Sequence, residues 1–226
     1  MTDLQQGDDS ISWRNDVIPV STKYDDPYFS ATGGLDETRH VFLAANDLPA
    51  RFRPGFHVAE LGFGTGLNLM ATLIAHRTAA AAPPLHYTSF ESFPLPAATI
   101  HRALTAFPEA LAIAQPFLRH WEKGDRQFDL DGVQVSVIIG DVRDTLPAWD
   151  QRADAWYLDG FSPAKNPEMW SPDLMEQVAR HTAPQGSFAT YTAAGHVRRA
   201  LTDAGFAVTR CPGHGVKRHM TRGTMT

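Results

Sequence analysis

Three glycines at alternate positions, Gly62, Gly64 and Gly66, fall between an apolar run at 57–61 and a stretch patterned as a helix from Leu67 to about residue 81. A strand that passes through a glycine-rich turn straight into a helix is the opening unit of an open α/β sheet. The unit recurs downstream. Residues 87–90, 133–139, 155–158 and 186–191 read as strands. Residues 97–106 and 195–204 read as helices, the second stopped by Gly205, and Ser171-Pro172-Asp173 supplies a cap, a first-turn proline and an acid for another. Residues 206–210 and 217–221 finish as two strands joined by a short loop holding Pro212, Gly213 and Gly215. A parallel pair needs a crossover of a dozen or more residues, so this pair is antiparallel. The pattern predicts a mostly parallel, seven-stranded sheet with an antiparallel last strand over 57–226.

Residues 1–56 do not follow this rhythm and read as an N-terminal extension that caps the domain of 57–226. The segment 11–21 alternates loosely, with Pro19 against a central strand, and suits a hairpin or an edge strand. An aromatic, turn-prone stretch follows at 24–30, then the break Gly33-Gly34, then a helix over 36–46 with Val41, Phe42 and Ala45 on one face.

At 226 residues and 43% hydrophobic composition the chain has material for one sizeable core. The single cysteine, Cys211, excludes an intrachain disulfide framework and is expected to be a buried or half-buried spectator. No apolar run reaches membrane-spanning length and the polar N-terminus lacks a signal-peptide core, so a soluble, cytoplasmic protein with no membrane partner is expected. The net charge of −5 argues against a general nucleic-acid binder. Its distribution differs: residues 195–226 hold Arg198, Arg199, Arg210, Lys217, Arg218 and Arg222 against Asp203 alone. Such a tail is either a solvated basic face or a face for an anionic partner.

The chemistry gathers at strand ends. In Glu60-Leu-Gly62-Phe-Gly64-Thr-Gly66-Leu67-Asn68 the glycines permit positive φ and close backbone approach, and the open amides of the next helix favour an acceptor. The spacing is neither that of a dinucleotide fingerprint nor of a phosphate-binding P-loop. An acid before the first glycine suits a cationic ligand, such as the amino-acid end of S-adenosylmethionine. Glu91 and Asp141 close the next strands, placed for ribose hydroxyls and an adenine amino group; each also suits a helix cap. Asp159 opens Asp-Gly-Phe161-Ser-Pro-Ala-Lys165-Asn166-Pro, where the acid can accept from a target amine and Phe161 can pack on a flat base. An Asx-type turn made by Asp159 with its own backbone is the alternative.

These stretches, together with Trp13-Arg14, Asp26-Pro-Tyr28-Phe29-Ser30, Gly34-Leu-Asp-Glu37-Thr38-Arg39 and Ala204-Gly205-Phe206 through Lys217-Arg218, resemble the class I methyltransferase module that completes 5-methylaminomethyl-2-thiouridine at the tRNA wobble position. It is the MnmD activity, which also forms the N-terminal half of bifunctional MnmC proteins. The resemblance spans nearly the whole chain. It implies a Rossmann-like fold, S-adenosylmethionine as methyl donor and the amine of 5-aminomethyl-2-thiouridine as acceptor. It implies Asp159 nearest the reacting nitrogen. Glu60, Gly62, Gly64, Gly66, Asn68, Glu91, Asp141 and Asp159 would bind the donor. Tyr28, Phe29 and Ser30 would close the pocket, with Phe161, Lys165 and Asn166 beside the acceptor. Lys217 and Arg218, with Arg198, Arg199 and Arg222, would meet the tRNA anticodon arm.

Bifunctional members continue into a flavin-dependent oxidase, whereas this sequence ends at Thr226 and holds no G-x-G-x-x-G fingerprint. No flavin and no oxidase activity are expected here, with an FAD-dependent oxidase as a separate or fused partner. None of the ten histidines falls into metal-ligand spacing, so no metal is expected. Rival readings are a class I N-methyltransferase for another amine, a nucleotide-binding oxidoreductase, and a non-catalytic RNA-binding module.

Overall fold

A computed structural model of the chain describes residues 10–30, 33–79 and 82–226. The polar N-terminus at 1–9 and the end of the expected helix at 80–81 lie outside the described residues. A small antiparallel sheet comes first, β1 (Ile11–Arg14), β2 (Ile18–Ser21) and β3 (Asp26–Pro27) in that order. Asn15 and Asp16 carry the β1–β2 turn at φ of 51° and 60°, a region these two side chains tolerate better than most. The hairpin reading of 11–21 is the one the structure shows, with Pro19 opposite Trp13. Helix α1 (Gly34–Thr38) runs on through a π turn, Arg39–Leu43, and a 3-10 turn, Ala44–Asn46. It buries Val41 and Phe42, as the pattern over 36–46 predicts.

The main sheet follows. In chain order come β4 (Phe56–Leu61), α2 (Leu67–Thr78), β5 (Leu85–Glu91), α3 (Ala97–Leu104), α4 (Pro108–Ile113), α5 (Gln115–Glu122), β6 (Gln127–Leu130) and β7 (Val133–Ile139). Then come α6 (Val142–Thr145), β8 (Ala153–Leu158), α7 (Pro172–Arg180), β9 (Thr182–Thr190), α8 (Gly195–Asp203), β10 (Phe206–Pro212) and β11 (His219–Met225). The spatial order is β10-β11-β9-β8-β4-β5-β7-β6. The five strands from β9 to β7 pair in parallel, and β11 lies antiparallel between β9 and β10.

Two differences from the sequence pattern have physical reasons. The sheet has eight strands, because β6 pairs antiparallel with β7 across a two-residue Asp131-Gly132 turn at φ of 55° and 86°. Asp-Gly is a strong hairpin signal, but β6 is a largely solvated edge strand with little apolar pattern to announce it. The last strand also starts later than 217. Gly213 N–H donates to the Arg218 carbonyl (3.1 Å) and Lys217 N–H to that of His214 (3.0 Å), so Lys217 and Arg218 belong to a tight turn.

Strand order reverses at β4. The chain leaves β4 for β5 on one side and returns from β7 to β8 on the other. Open α/β sheets bind ligands outside the carboxyl ends of strands at such a reversal. Side chains of β4 alternate between two core layers. Ala59 and Leu61 pack under α7 and α8 with Trp156, Leu174 and Leu201. Val58 packs in the opposite layer, with α2 and with Ile11, Leu35 and Phe42 from the N-terminal segment. Glu60 shares the parity of Val58 and turns into that second layer. Among the described residues no helix is long and apolar enough to cross a membrane.

Candidate active site

A cavity of about 910 Å³ opens at the strand reversal, at the upper end of the usual range for ligand sites. One wall is the glycine turn after β4. Gly62 takes φ of 85°, and a Cβ there would lie 2.9 Å from the Asp159 carbonyl oxygen, so both backbone conformation and the neighbouring strand end require glycine. Gly64 N–H donates to Glu91 Oε2 (2.9 Å) and Phe93 N–H to Glu91 Oε1 (2.7 Å). Glu91 therefore ties the two loops together. Burial raises its carboxyl while these amides pull it back down. Asp141 follows the capping alternative: it accepts from Arg143 N–H (2.9 Å) at the start of α6 and from the Arg143 guanidinium, which holds its carboxyl below the ordinary range. Both acids remain on the cavity wall.

Glu60 does not reach the cavity. Its strand parity buries it completely beneath α2, where Asn68 Nδ2 donates to its Oε1 (2.8 Å). Its Oε2 has no hydrogen-bond partner among the described residues. Burial pushes the Glu60 carboxyl up to about 8, against the pull of Ser89 and Asn68. Gly66 also stands off the wall: it opens α2 at φ of 72°, pressed between Phe63 and Phe117.

The opposite wall is assembled from distant parts of the chain. At the end of β8, Asp159 Oδ2 accepts from the same Asn68 Nδ2 (2.8 Å), and Oδ1 accepts from Gly160 N–H (2.9 Å). The carboxylate thus holds the next backbone amide while it faces the cavity, and the Asx-type turn to Phe161 N–H is not what the structure shows. Enclosure raises the Asp159 carboxyl to about 6, while Asn68, Gly160 and Lys217 oppose the shift. Phe161 stacks on Tyr24 (centroids 4.7 Å) and meets Tyr28 edge-on (5.1 Å). Its loop is pinned by Tyr191 Oη to the Gly160 carbonyl (2.7 Å) and Trp170 Nε1 to the Phe161 carbonyl (2.9 Å). Tyr28, Phe29 and Ser30 do line the cavity, and Ser30 Oγ donates to Glu37 Oε2. Asn166 lies on the same wall.

Two cations are placed differently from their sequence reading. Lys165 lies off the wall and reaches back to the Asp25 carbonyl and the carboxylates of Asp25 (3.3 Å) and Asp26 (3.7 Å). It clamps the small sheet to the Asp159 loop, as does Ser162 N–H on Asp26 Oδ2 (2.8 Å). Lys217 turns inward: its Nζ lies 2.8 Å from Glu37 Oε1 and 4.1 Å from the Tyr191 ring centroid, on the cavity wall. Only Arg218 of that pair is left exposed on the turn. Sequence reasoning missed Glu37, Thr38, Tyr24 and Tyr191. Glu37 and Thr38 stood within a quoted motif, but nothing local announces that α1 delivers them to a strand end some distance along the chain. Trp156 and Tyr157 are core residues, Cys211 is half-buried, and His57 and His76 are buried on Thr88 Oγ1 (2.8 Å) and the Pro83 carbonyl (2.7 Å). Among the described residues no three His, Cys, Asp or Glu side chains are grouped to hold a metal ion.

The two walls make one site with two chemistries. The glycine wall presents flat backbone and carboxylates, fitting a ligand with hydroxyls and a cationic end. The other presents a carboxylate beside aromatic rings, fitting a planar group that carries an amine. A family model described as S-adenosyl-L-methionine-dependent methyltransferase matches residues 108–226, more than half of the chain. The tRNA 5-methylaminomethyl-2-thiouridine biosynthesis bifunctional protein MnmC of Pseudomonas paraeruginosa is 44% identical over 235 residues, covering 99% of this chain and 36% of that protein. The protein of the same name from Stutzerimonas stutzeri is 46% identical over 224 residues, covering 94% and 34%. The chain thus spans about a third of the length of the curated relatives it matches. Among solved structures, MNMC2 from Aquifex aeolicus shares the fold, with a TM-score of 0.78 at 24% identity over 96% of this chain and 70% of that one. The N-methyltransferase NodS from Bradyrhizobium japonicum shares it more loosely, with a TM-score of 0.52 at 13% identity over 87% and 99%. The chain belongs to the S-adenosyl-L-methionine-dependent methyltransferases, with the class I fold of that family.

Proposed function

We propose that this methyltransferase acts on the primary amine of 5-aminomethyl-2-thiouridine at the tRNA wobble position, giving 5-methylaminomethyl-2-thiouridine. The observation that carries the reading is Asp159, a carboxylate held on the cavity wall beside Phe161, Tyr24 and Tyr28 and across from the glycine turn. The biosynthetic role named for relatives 44–46% identical over nearly all of this chain supports it. When bound, S-adenosylmethionine supplies an electrophilic methyl group on a sulfonium centre. Gly62, Gly64, Glu91 and Asp141 would hold it on their wall, with Glu60 and Gly66 supporting that wall from behind.

The acceptor must present a neutral nitrogen, because an ammonium has no lone pair. Asp159 accepts an N–H of the amine, orients the lone pair across the cavity and can take the proton at a carboxylate oxygen. Phe161 offers a face to the splayed base, an anticodon nucleotide needing no duplex opening. Residues 10–30 and 33–55 would act as a cap, with Tyr28, Phe29 and Ser30 excluding water. Arg218, with Arg198, Arg199 and Arg222, the last also 4.0 Å from the Asp47 carboxylate, would meet phosphates of the anticodon arm, so binding should weaken with salt. The enzyme works in the cytoplasm without flavin or metal, and an FAD-dependent oxidase, separate or fused, is its partner.

The test is methyl transfer. The protein, S-adenosylmethionine and tRNA bearing 5-aminomethyl-2-thiouridine are incubated and the digested nucleosides analysed by mass spectrometry. Conversion to the methylaminomethyl nucleoside, absent with Asp159→Ala, is expected. Intact donor binding without conversion would overturn the acceptor and return it to another amine.

A further inference from the structure

The Asn68 side chain is where the two walls meet. It sits in the first turn of α2, almost wholly buried. Its Nδ2 carries two hydrogens, and the structure uses both: one on Glu60 Oε1, the other on Asp159 Oδ2, each at 2.8 Å. Its Oδ1 accepts from Thr38 Oγ1 at 3.0 Å. The reversed amide would aim Oδ1 at two carboxylates and Nδ2 at a hydroxyl, so three partners select one orientation.

We infer that Asn68 is a positioning residue. Held by Thr38, its amide braces Asp159 Oδ2 against the buried Glu60 and so keeps the acceptor-facing carboxylate oriented and ionised for the incoming amine. The inference rests on the proposed role of Asp159. A donor shared between two carboxylates stabilises the charged form of each, and among the described residues Asn68 is the neutral side chain hydrogen-bonded to both. The other charged or titratable groups around Asp159 are Glu60 on β4, Tyr87 on β5, Glu37 on α1, Tyr191 after β9 and Lys217 on the tail turn. Of these Lys217 favours the carboxylate, while Glu37 disfavours it. Without the amide, the enclosed Asp159 would keep Gly160 N–H and the Lys217 charge, and its proton would leave at higher pH.

Asn68→Leu keeps the side-chain size and removes both donated bonds. Thr38→Val keeps the Thr38 shape and frees the amide to turn. Circular dichroism melting shows which variants fold. Two readouts follow: the pH profile of kcat for methyl transfer, and the titration midpoint of the Asp159 carboxyl by carbon-13 NMR in protein saturated with S-adenosylhomocysteine. In Asn68→Leu the acid limb of kcat and the NMR midpoint should both move up by about one pH unit. Turnover at pH 6.5 should fall about threefold, with KM for the RNA within twofold. Thr38→Val should move both by a smaller amount in the same direction. Turnover that falls equally at every pH, with the Asp159 midpoint unmoved, would overturn the inference. If the wild-type protein methylates no such RNA, the proposed acceptor falls, while the NMR midpoint, which needs no RNA, still decides the role of Asn68.

Discussion

The two walls of the cavity are built in different ways. The glycine wall comes from consecutive strand, turn and helix, and its bonds are short-range or run between adjacent strand ends, as from Gly64 N–H to Glu91. The Asp159 wall gathers residues 24–30, Glu37, residues 159–166 and Lys217, joined by Ser162 on Asp26, Ser30 on Glu37 and Glu37 with Lys217. The first needs only β4, α2 and the neighbouring strand ends that carry Glu91 and Asp141. The second exists only after the N-terminal segment and the tail turn have docked. A wall made of local backbone suits a ligand that many related folds share, and a wall made of remote side chains can change its acceptor without disturbing the sheet.

The largest expected effect separates the walls. Asp159→Asn should lower turnover by about 10³-fold, the middle of the range for losing a positioned proton acceptor. Affinity for S-adenosylhomocysteine, measured by calorimetry, should stay within about threefold. A comparable loss in both would mean the walls are not separable. Next is Gly62→Ala, where the backbones of the two walls press together. A positive φ and a Cβ 2.9 Å from the Asp159 carbonyl oxygen should cost about 1–3 kcal/mol in denaturant unfolding and weaken both donor binding and turnover.

Glu60→Gln should act with the opposite sign on stability. The Glu60 carboxyl is raised from an ordinary value near 4.5 to about 8 by burial. Its folded state therefore prefers the proton, and its contribution is fully present below pH 4.5 and lost as pH rises through 8. The difference in Tm between Glu60→Gln and wild type, without donor, should grow in favour of the variant from pH 6 to pH 9. The gain should be on the order of 1 kcal/mol by pH 9. A difference that is flat with pH would show that Glu60 is already ionised and satisfied.

The same contrast explains what could be read from the sequence. The glycine turn, the parallel strands and the antiparallel close follow from local rules about chain geometry, and the structure has them. Asp159 was legible because it ends a strand and opens a loop of turn-forming residues. Glu60 was assigned to the ligand because strand ends face ligands, but strand parity turned it under α2. Lys217 and Lys165 were assigned to RNA because exposed lysines in basic tails and loops usually meet solvent or phosphate. Each instead pairs with an acid supplied by the N-terminal segment, Glu37 for one and Asp25 with Asp26 for the other. No local pattern carries the information that two remote segments will lie side by side, and that also hid Glu37, Thr38 and Tyr191.

The smallest effect tests the least local contact. Lys165 is partly solvated, and exposed pairs of this kind contribute about 0–1 kcal/mol. Lys165→Ala should therefore shift Tm by no more than a few degrees, and Ser162 N–H on Asp26 keeps the small sheet in place. If Lys165 serves this internal clamp, the slope of log KM for RNA against log salt concentration should match wild type. Charge reversal at Arg218, exposed on the turn, should reduce that slope by about one. A reduced slope for Lys165→Ala would place the lysine on phosphate after all, and the Asp159 wall would then extend onto the RNA-facing surface instead of ending at the cavity rim.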